Sequence, residues 1–307
     1  MTRYLIKRVF AAIITIWVTT VAVAMLIHAV PGDPVQIMYA QSQATTRAEL
    51  DAIRASLGLD LPLYQQYFNY MGRLFQGDMG YTIRGEQPVF ELIMRRLPNT
   101  LILAATALLI ASVIGLFCGF FAAYKRGTAV DTSLMTLAIV GVSIPHFWLG
   151  FILILLFAVT FQFFPVGGTD ARNLVLPALT LGVSNAAVIA RLTRSSMIDI
   201  FGQDFMRTAW AKGLPKAMVL HSHALRAGLV PIVTMMGMQF AYLMGGAIVV
   251  ENVFAWNGIG RLAIQAILQR DYPLIQGFIL TFAVIVALIS LLLDLIYAWL
   301  DPRIRYS

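Results

Sequence analysis

The run VFAAIITIWVTTVAVAMLIHAV, residues 9–30, contains no Asp, Glu, Lys or Arg over 22 positions. A hydrocarbon layer about 30 Å thick needs about 20 apolar residues in a helix, so this run predicts a membrane span. A signal peptide is the alternative, since basic residues precede the run, but signal peptides have an apolar region of only about 7–15 residues. No cleavage site of small residues precedes Pro31 either, so we expect a retained first span.

Five further uncharged runs follow, at 100–124, 132–164, 174–190, 227–250 and 272–293. Each is long enough to cross, or nearly cross, the hydrocarbon layer. The third is over-long, and Ser143 and Pro145 near its middle predict a kinked helix, or one that extends into the far interface, rather than two spans. Pro177 and Gly182 interrupt the fourth. The sequence therefore predicts an all-α membrane protein with six transmembrane helices in a single domain covering residues 1–307.

Composition agrees with this fold class. The chain is 59% hydrophobic and 12% charged, whereas about a quarter of the residues in soluble domains are charged. The net charge of +7 does not predict nucleic-acid binding, because the basic residues lie between apolar runs rather than in one patch. The single cysteine, Cys118, excludes a disulfide within the chain.

The basic residues also predict the orientation, because Lys and Arg resist translocation. With the amino terminus in the cytosol, 13 of the 22 Lys and Arg residues lie on the cytoplasmic side. The two short outer loops then hold only Arg172, Arg261 and Arg270. We expect a multi-pass protein with both termini in the cytosol and residues 31–98 outside. In that external segment Tyr64, Tyr67, Phe68, Met71 and Leu74 recur at helical spacing, which predicts a small folded cap.

The loop 191–226 between the fourth and fifth runs is the longest polar stretch on the cytoplasmic side. Asp204 is suited to cap a helix, Gly213 to end one, and Pro215 to start the next as its first residue. Phe205, Met206, Ala209 and Gly213 are three or four positions apart, so we expect them to share one helix face, with Arg207 elsewhere. The alternative is a basic connector that lies along the membrane.

The loop resembles the EAA loop of ABC importer permeases, in the dipeptide, oligopeptide and nickel group. The resemblance in the loop rests on the run DFMRTAWAKGL, residues 204–214, followed by His221, Leu225 and Arg226. It extends along the chain through Pro31-Gly32-Asp33-Pro34, Leu57-Gly58-Leu59-Asp60, Gly77-Asp78-Met79-Gly80, Val250-Glu251, Phe254-Ala255-Trp256, Gly258, Gly260-Arg261, Arg270-Asp271-Tyr272-Pro273 and Asp301-Pro302-Arg303.

The resemblance implies a type I ABC importer permease of the bacterial inner (cytoplasmic) membrane. It implies as partners a second homologous permease subunit, two ATP-binding subunits and a periplasmic substrate-binding protein. A coupling helix at 204–213 would fit a groove of an ATP-binding subunit. Its residues are Asp204, Phe205, Met206, Arg207, Thr208, Ala209, Ala211, Lys212 and Gly213. Arg207 stands where the general motif has glutamate, so a salt bridge of glutamate-bearing relatives is not carried over.

No G-x-x-x-x-G-K-[ST] phosphate loop occurs, so we expect no enzymatic activity and no cofactor in this chain. ATP and Mg would be used by the partner subunits. Ser143 and His146 lack a glycine turn that could form an oxyanion hole, which argues against an intramembrane hydrolase. The segment is a candidate for lining the pathway instead. The candidate pathway residues are Ser143, Pro145, His146, Asn185 and Gln239.

The alternative from a different functional class is a stand-alone secondary carrier or channel. Such carriers commonly have acidic residues at mid-membrane, whereas the ionisable residues of these runs are His28, His146 and, near an end, Asp294. The four histidines form no credible metal site. Dipeptides or oligopeptides, glutathione, nickel and metal chelates all stay open as substrates, because nothing in the spans presents a substrate-specific charge.

Overall fold

The computed structural model describes residues 2–29, 35, 46–56, 59–83 and 85–300. Most of 31–45, Leu57-Gly58 and the motif at Asp301-Pro302-Arg303 lie outside the described residues. The helices are α1 (Thr2–Ala29), α2 (Arg47–Ser56), α3 (Leu63–Phe75), α4 (Val89–Tyr124), α5 (Ala129–Ser143), α6 (His146–Leu153), α7 (Ala171–Phe201), α8 (Asp204–Ala211), α9 (Lys216–Met218), α10 (Arg226–Val253), α11 (Ile259–Gln269) and α12 (Tyr272–Leu300).

Two π-helical segments, Ile154–Thr160 and Val219–Leu225, continue α6 and α9. Extended backbone pairing within the described ranges is limited to the isolated bridges Tyr81 with Pro88 and Gly168 with Trp256. The all-α prediction is confirmed.

Five helices are long and apolar enough to cross a membrane: α1, α4, α7, α10 and α12. A sixth span is counted if Ala129–Ser143 and His146–Thr160 form one broken helix, whose halves meet at 100°. The break lies where the sequence predicts a kink. Ile144 and Pro145 have extended backbones, with ψ of 122° and 137°, which cannot continue a helix.

Each of the long helices extends beyond its predicted run, α4 and α7 by the most. Helix α4 begins about three turns before residue 100, and α7 continues about three turns after residue 190. Arg95, Arg96, Arg191 and Arg194 bound the apolar runs but do not end the helices, because the backbone hydrogen bonds are indifferent to side-chain charge. Pro177 lies inside α7 without ending it.

Contacts divide the chain into two compact units. One comprises Asn99–Gly260 together with the chain from Leu292, and the other comprises Thr2–Pro98 and Arg261–Leu291. In the first unit, α7 packs against α5, α6 and α10. The apolar window of α7 is 67% buried, the largest share among the five long helices. Helix α7 is therefore the centre of this unit.

Glycines allow α4 to approach α7 closely. A Cβ at Gly115 would lie 2.7 Å from Ile189 Cβ, and one at Gly119 would overlap the carbonyl oxygen of Ala190. Gly182 of α7 faces Ile110 of α4 in the same way, at 2.7 Å. Gly115 and Gly119 form a G-x-x-x-G pattern, which in membranes brings helix backbones together where no hydrophobic effect drives packing.

We expect Gly119→Val to destabilise the chain by about 1–3 kcal/mol, because overpacking forces α4 away from α7. Thermal denaturation of the purified protein measures this change. Gly141→Ala is the matched control, since a Cβ there meets its nearest neighbour at an ordinary 3.7 Å. Equal melting temperatures for Gly119→Val and the unsubstituted chain would contradict the close approach of these helices.

In the second unit, Asp271 explains the motif Arg270-Asp271-Tyr272-Pro273. Its Oδ1 accepts the N–H of Leu274 at 3.2 Å, which caps α12. Its Oδ2 accepts the N–H of Ile83 at 3.0 Å, so the same carboxylate also holds the segment that follows α3. One buried side chain therefore fixes both the start of α12 and the turn before α4.

Candidate functional site

Helix α8 forms the middle of the loop 191–226. Gln203 is its N-cap residue, with φ −78° and ψ 152°, and the Gln203 carbonyl accepts the N–H of Met206 at 3.1 Å. The prediction that Asp204 caps the helix is wrong, because Asp204 is already the first helical residue. Its carboxylate lies in the first turn, where negative charge interacts favourably with the helix dipole.

The glycine that ends α8 is confirmed. Gly213 has φ +71°, a left-handed conformation that costs glycine little, and its N–H donates to the Trp210 carbonyl at 3.0 Å. Pro215 is the N-cap residue of α9, one position earlier than predicted. From α9 the chain continues through the π-helix Val219–Leu225 into α10. Helix α8 is thus bounded by α7 on one side and a continuous path into α10 on the other.

The inner face of α8 packs on the chain itself. Met206 and Ala209 are 1% and 6% exposed and belong to one apolar cluster, the coupling cluster. Its other members come from α4, α7, the π-helix and α10, and are Ala123, Met197, Ile200, Val219, Ala224 and Ile232. The predicted shared face is therefore correct for Met206 and Ala209. It is wrong for Phe205 and Gly213, which are exposed.

The outer face of α8 is small and polar, with aromatic residues at its flanks. Phe205 and Trp210 are 40% and 44% exposed. Between them, Thr208, Ala211 and Lys212 are exposed, and Thr208 Oγ1 donates back to the Asp204 carbonyl at 3.0 Å. Arg207 lies 3.6 Å from Asp204 in a fully solvated ion pair, which contributes little stability. The outer face thus presents small and polar side chains between two large apolar ones.

An ion pair joins the start of α5 to the last turns of α7, close to the coupling cluster. Arg194 Nε and Nη2 donate to the two carboxylate oxygens of Asp131, at 2.6 and 2.7 Å. The Gly127 N–H donates to the same carboxylate at 3.0 Å. Asp131 is 4% exposed. A buried two-point pair of this kind fixes both distance and orientation, so α5 and the end of α7 are held together.

We expect Asp131→Ala to lower the stability of the chain by about 3 kcal/mol, because it leaves the Arg194 charge partly buried without its partner. Arg191→Ala, an exposed position one turn earlier on α7, serves as the control and should change little. The free energy of unfolding in denaturant measures both. A change below about 1 kcal/mol for Asp131→Ala would contradict a buried ion pair, because a contribution of that size is typical of solvent-exposed pairs.

Three of the predicted pathway residues lie at the bend between α5 and α6. Ser143 Oγ donates to the Ile139 carbonyl at 2.9 Å, and Pro145 is the N-cap residue of α6. The Nδ1 atom of His146 is buried and has no hydrogen-bond partner within the described part of the chain. The bend therefore places one serine, one proline and one histidine together. Their role in a pathway stays a prediction.

The other two, Asn185 and Gln239, contact each other. Gln239 Nε2 donates to Asn185 Oδ1 at 2.6 Å, and Asn185 Nδ2 donates to the Leu181 carbonyl at 2.7 Å. Both side chains are buried, at 2% and 8% exposure. In this conformation the pair joins α7 to α10. A pathway-lining role, which would require the pair to open, stays a prediction.

Sequence reasoning assigned no role to Glu251, which the structure places at a second polar centre. Glu251 is fully buried, and Thr100 Oγ1 donates to its Oε1 at 2.5 Å. Thr100 Oγ1 in turn accepts the N–H of Ile259 at 2.9 Å. Nearby, Trp256 Nε1 donates to the Asn99 carbonyl at 3.1 Å. These bonds bind the loop between α10 and α11 to α4.

Glycines make room for the Glu251 carboxylate. A Cβ at Gly258 would overlap it, and one at Gly260 would lie 2.5 Å from Ile248 Cα and 3.0 Å from Glu251 Oε2. The signal in the sequence was the run ENVFAWNGIG, residues 251–260, with an acidic residue at the end of an apolar run and two glycines shortly after.

Within the described residues, no three His, Cys, Asp or Glu side chains come together, and the absence of a metal site stays a prediction.

Comparison with known families covers nearly the whole chain. Residues 115–306 match the family described as binding-protein-dependent transport system inner membrane component. Residues 1–104 match the amino-terminal family of the same transport-system membrane components. The first of these regions begins and the second ends within α4, with residues 105–114 between them.

Curated relatives match over their full length. The chain is 42% identical over 308 residues to the glutathione transport system permease protein GsiC of Escherichia coli strain K12, covering 100% of both chains. The GsiC protein of Shigella dysenteriae serotype 1 gives the same identity and coverage.

Solved structures show the same fold at lower identity. An inward-facing MetNI methionine ABC transporter chain has a TM-score of 0.59 and 20% identity, covering 68% of this chain and 96% of that one. A chain of an amino acid ABC transporter with histidines has a TM-score of 0.53 and 20% identity, with 68% and 94% covered. At this identity the likeness concerns the fold alone.

Proposed function

The chain belongs to the family of binding-protein-dependent transport system inner membrane components and is a permease subunit of an ABC importer; we propose that it forms half of an import pathway for glutathione or a peptide of similar size. It is a multi-pass inner-membrane protein that works with ATP-binding and substrate-binding components. The substrate proposal rests on the full-length similarity to glutathione permeases.

The proposed assembly contains a second homologous permease subunit and two ATP-binding subunits, which use ATP and Mg. Both termini and the loop 191–226 lie in the cytosol, as the distribution of basic residues indicates. An external binding protein delivers the substrate. ATP hydrolysis takes place in the partners, because no phosphate loop occurs in this chain.

The position of α8 is the observation that carries the coupling role. Its inner face is fixed on the coupling cluster, and its outer face exposes Phe205, Trp210, Thr208 and Ala211. An ATP-binding subunit that contacts the outer face would push on a helix that cannot slide independently. Because α7 ends at Phe201 and the following segment leads into α10, the displacement would reach both helices.

Helices α7 and α10 are joined by the Asn185–Gln239 pair, and α5 is tied to α7 by Asp131 and Arg194. A movement of α8 would therefore be transmitted to the bend at Pro145 and to the polar pair. We propose these as the places where the pathway opens. Neither place has an Asp, Glu, Lys or Arg side chain, which suits brief passage of a solute rather than tight binding.

Reconstitution with the cognate partner subunits and binding protein tests the substrate. We expect glutathione to stimulate ATP hydrolysis and labelled glutathione to accumulate in liposomes, with a dipeptide competing weakly. Nickel ions and a nickel chelate are the comparison substrates. Uptake of nickel or its chelate, with none of glutathione, would contradict the substrate proposal and leave the permease assignment intact.

A further inference from the structure

Helix α3 carries an exposed aromatic strip whose surroundings the import function does not explain. Tyr64, Phe68 and Phe75 are 61%, 69% and 85% exposed. At 3.6 residues per turn, these three side chains lie within about 40° of one another around the helix. Gln65, Asn69 and Arg73 lie on another side, and all are exposed. The helix thus has an exposed apolar face and an exposed polar face.

The side of α3 that carries Tyr67 is fixed to α1. The hydroxyls of Tyr67 and Thr20 lie 3.0 Å apart, and Thr20 Oγ1 also donates to the Trp17 carbonyl at 2.7 Å. Thr20 is 4% exposed. Tyr70, on the same side of α3, is largely buried, and burial raises its pKa to about 12, so its hydroxyl stays neutral at physiological pH. Helix α3 is therefore held laterally against α1.

The contact with Thr20 sets the depth of α3. Thr20 lies within the uncharged run 9–30 of α1, about 7.5 Å before the level of Met25 at 1.5 Å per residue. A tyrosine side chain reaches little further than one helix turn, about 5.4 Å. The backbone of α3 therefore cannot lie far beyond the level of Met25.

A second contact agrees with this boundary. Gln276 Nε2 donates to the Val23 carbonyl at 2.9 Å, which places the first turns of α12 beside the same end of α1. The apolar span of α12 begins at Tyr272. Tyr272 lies about 6 Å from Gln276 along α12, which places the start of this span about 3 Å beyond the level of Met25. Helix α3 therefore lies close to the level at which the α12 span begins.

We propose that α3 lies in the outer surface of the lipid bilayer, with Tyr64, Phe68 and Phe75 inserted at the boundary between headgroups and acyl chains. The outer side follows from the orientation given with the proposed function. Aromatic side chains are enriched at this depth, and an amphipathic helix there buries its apolar face in the boundary layer. The polar face, with one Arg and several amides, would stay in contact with water.

The partner is a phospholipid surface rather than the external binding protein, because the contact of Tyr67 with Thr20 holds α3 beside the membrane span of α1, where lipid surrounds the chain. Helix α3 would then hold the periplasmic end of α1 at a fixed depth and tilt. Its contact with α1 through Tyr67 ties that depth to the span itself.

Depth measurements by spin labelling test the proposal in the assembled transporter in phosphatidylethanolamine–phosphatidylglycerol nanodiscs. The single cysteine, Cys118, is first replaced by serine, and cysteine is introduced separately at Phe68, Phe75, Gln65 and Asn69. Collisions with oxygen report lipid, and collisions with a water-soluble nickel complex report water. We expect labels at Phe68 and Phe75 to favour oxygen several-fold, and labels at the matched positions Gln65 and Asn69 to favour the nickel complex.

Equal exposure of all four labels to the nickel complex would overturn the proposal, since the strip would then face water. Shielding of the Phe68 label from both reagents, relieved when the binding protein is removed, would also overturn it in favour of protein docking. Because Phe68 and Phe75 are exposed, labels there should not disturb folding, and Tyr64→Cys provides a third position. The depth of α3 in the bilayer is measured independently of transport. A result against the proposal therefore leaves the proposed import function unchanged, and a transporter without uptake can still show the expected depth.

Discussion

Ala211→Arg is expected to abolish ATP-driven uptake while the purified chain keeps its melting temperature. Ala211 lies on the exposed outer face of α8, so a long charged side chain there obstructs a docked subunit without entering the coupling cluster. Central contacts of an interface commonly contribute about 2 kcal/mol or more, which corresponds to about 30-fold weaker association. Co-purification of the ATP-binding subunits measures the association, and labelled-substrate uptake measures the consequence.

Two companion variants separate docking from folding. Ala209→Arg is also expected to stop uptake, but through loss of stability, because Ala209 is 6% exposed and packs in the coupling cluster. Ser195→Arg places the same side chain at an exposed position of α7 and should leave association unchanged. Normal co-purification of the ATP-binding subunits with Ala211→Arg would show that the outer face of α8 is not the docking surface.

Gly258→Ala is expected to prevent accumulation of folded protein in the membrane. The added Cβ would overlap the buried Glu251 carboxyl group, which can move away only by giving up its hydrogen bond with Thr100. Overpacking costs about 1–3 kcal/mol and a buried polar group left without its hydrogen bond about 1–3 kcal/mol, which together approach the whole stability of a marginally stable domain. Immunodetection in membranes and melting of the purified chain measure the effect.

The double variant Glu251→Ala with Gly258→Ala tests the cause. If the clash with the carboxylate is responsible, removing the carboxylate should restore part of the loss caused by Gly258→Ala alone. Gly245→Ala is the control, because a Cβ there meets no heavy atom within 4 Å. Wild-type accumulation of Gly258→Ala would contradict the packing of the Glu251 side chain against the loop between α10 and α11.

Hydrophobic runs were sufficient to locate the five long helices, since apolar length decides whether a segment spans a membrane. They misplaced several helix ends, because the uncharged run stops at the first charged residue whereas α7, for example, continues to Phe201. The kink at Pro145 was predictable because proline and the residue before it have restricted backbones. Packing was not. Gly182, which seemed to interrupt a helix, instead lets α7 approach Ile110 of α4.

Helix α8 could be located from Gly213 and Pro215, whose backbone preferences are local. Which face of this helix is buried could not be predicted. Phe205 and Met206 are neighbours with similar hydrophobicity, and only the tertiary contacts of Met206 show that one is buried and the other exposed. The partners of Asp131 and Glu251 were not predictable either. Arg194 and Thr100 are distant from them in the sequence, and only the tertiary structure brings them together.

The most direct test of the docking role of α8 is a photo-crosslink from its outer face. A chain with Cys118→Ser and Lys212→Cys, modified with benzophenone maleimide and illuminated in the assembled transporter, should form a covalent product with an ATP-binding subunit. The label there replaces a side chain that is already long and exposed. The same probe at Asn69→Cys on α3 should not form this product. A crosslink from Asn69 but none from Lys212, in a transporter that still hydrolyses ATP on substrate addition, would contradict the account.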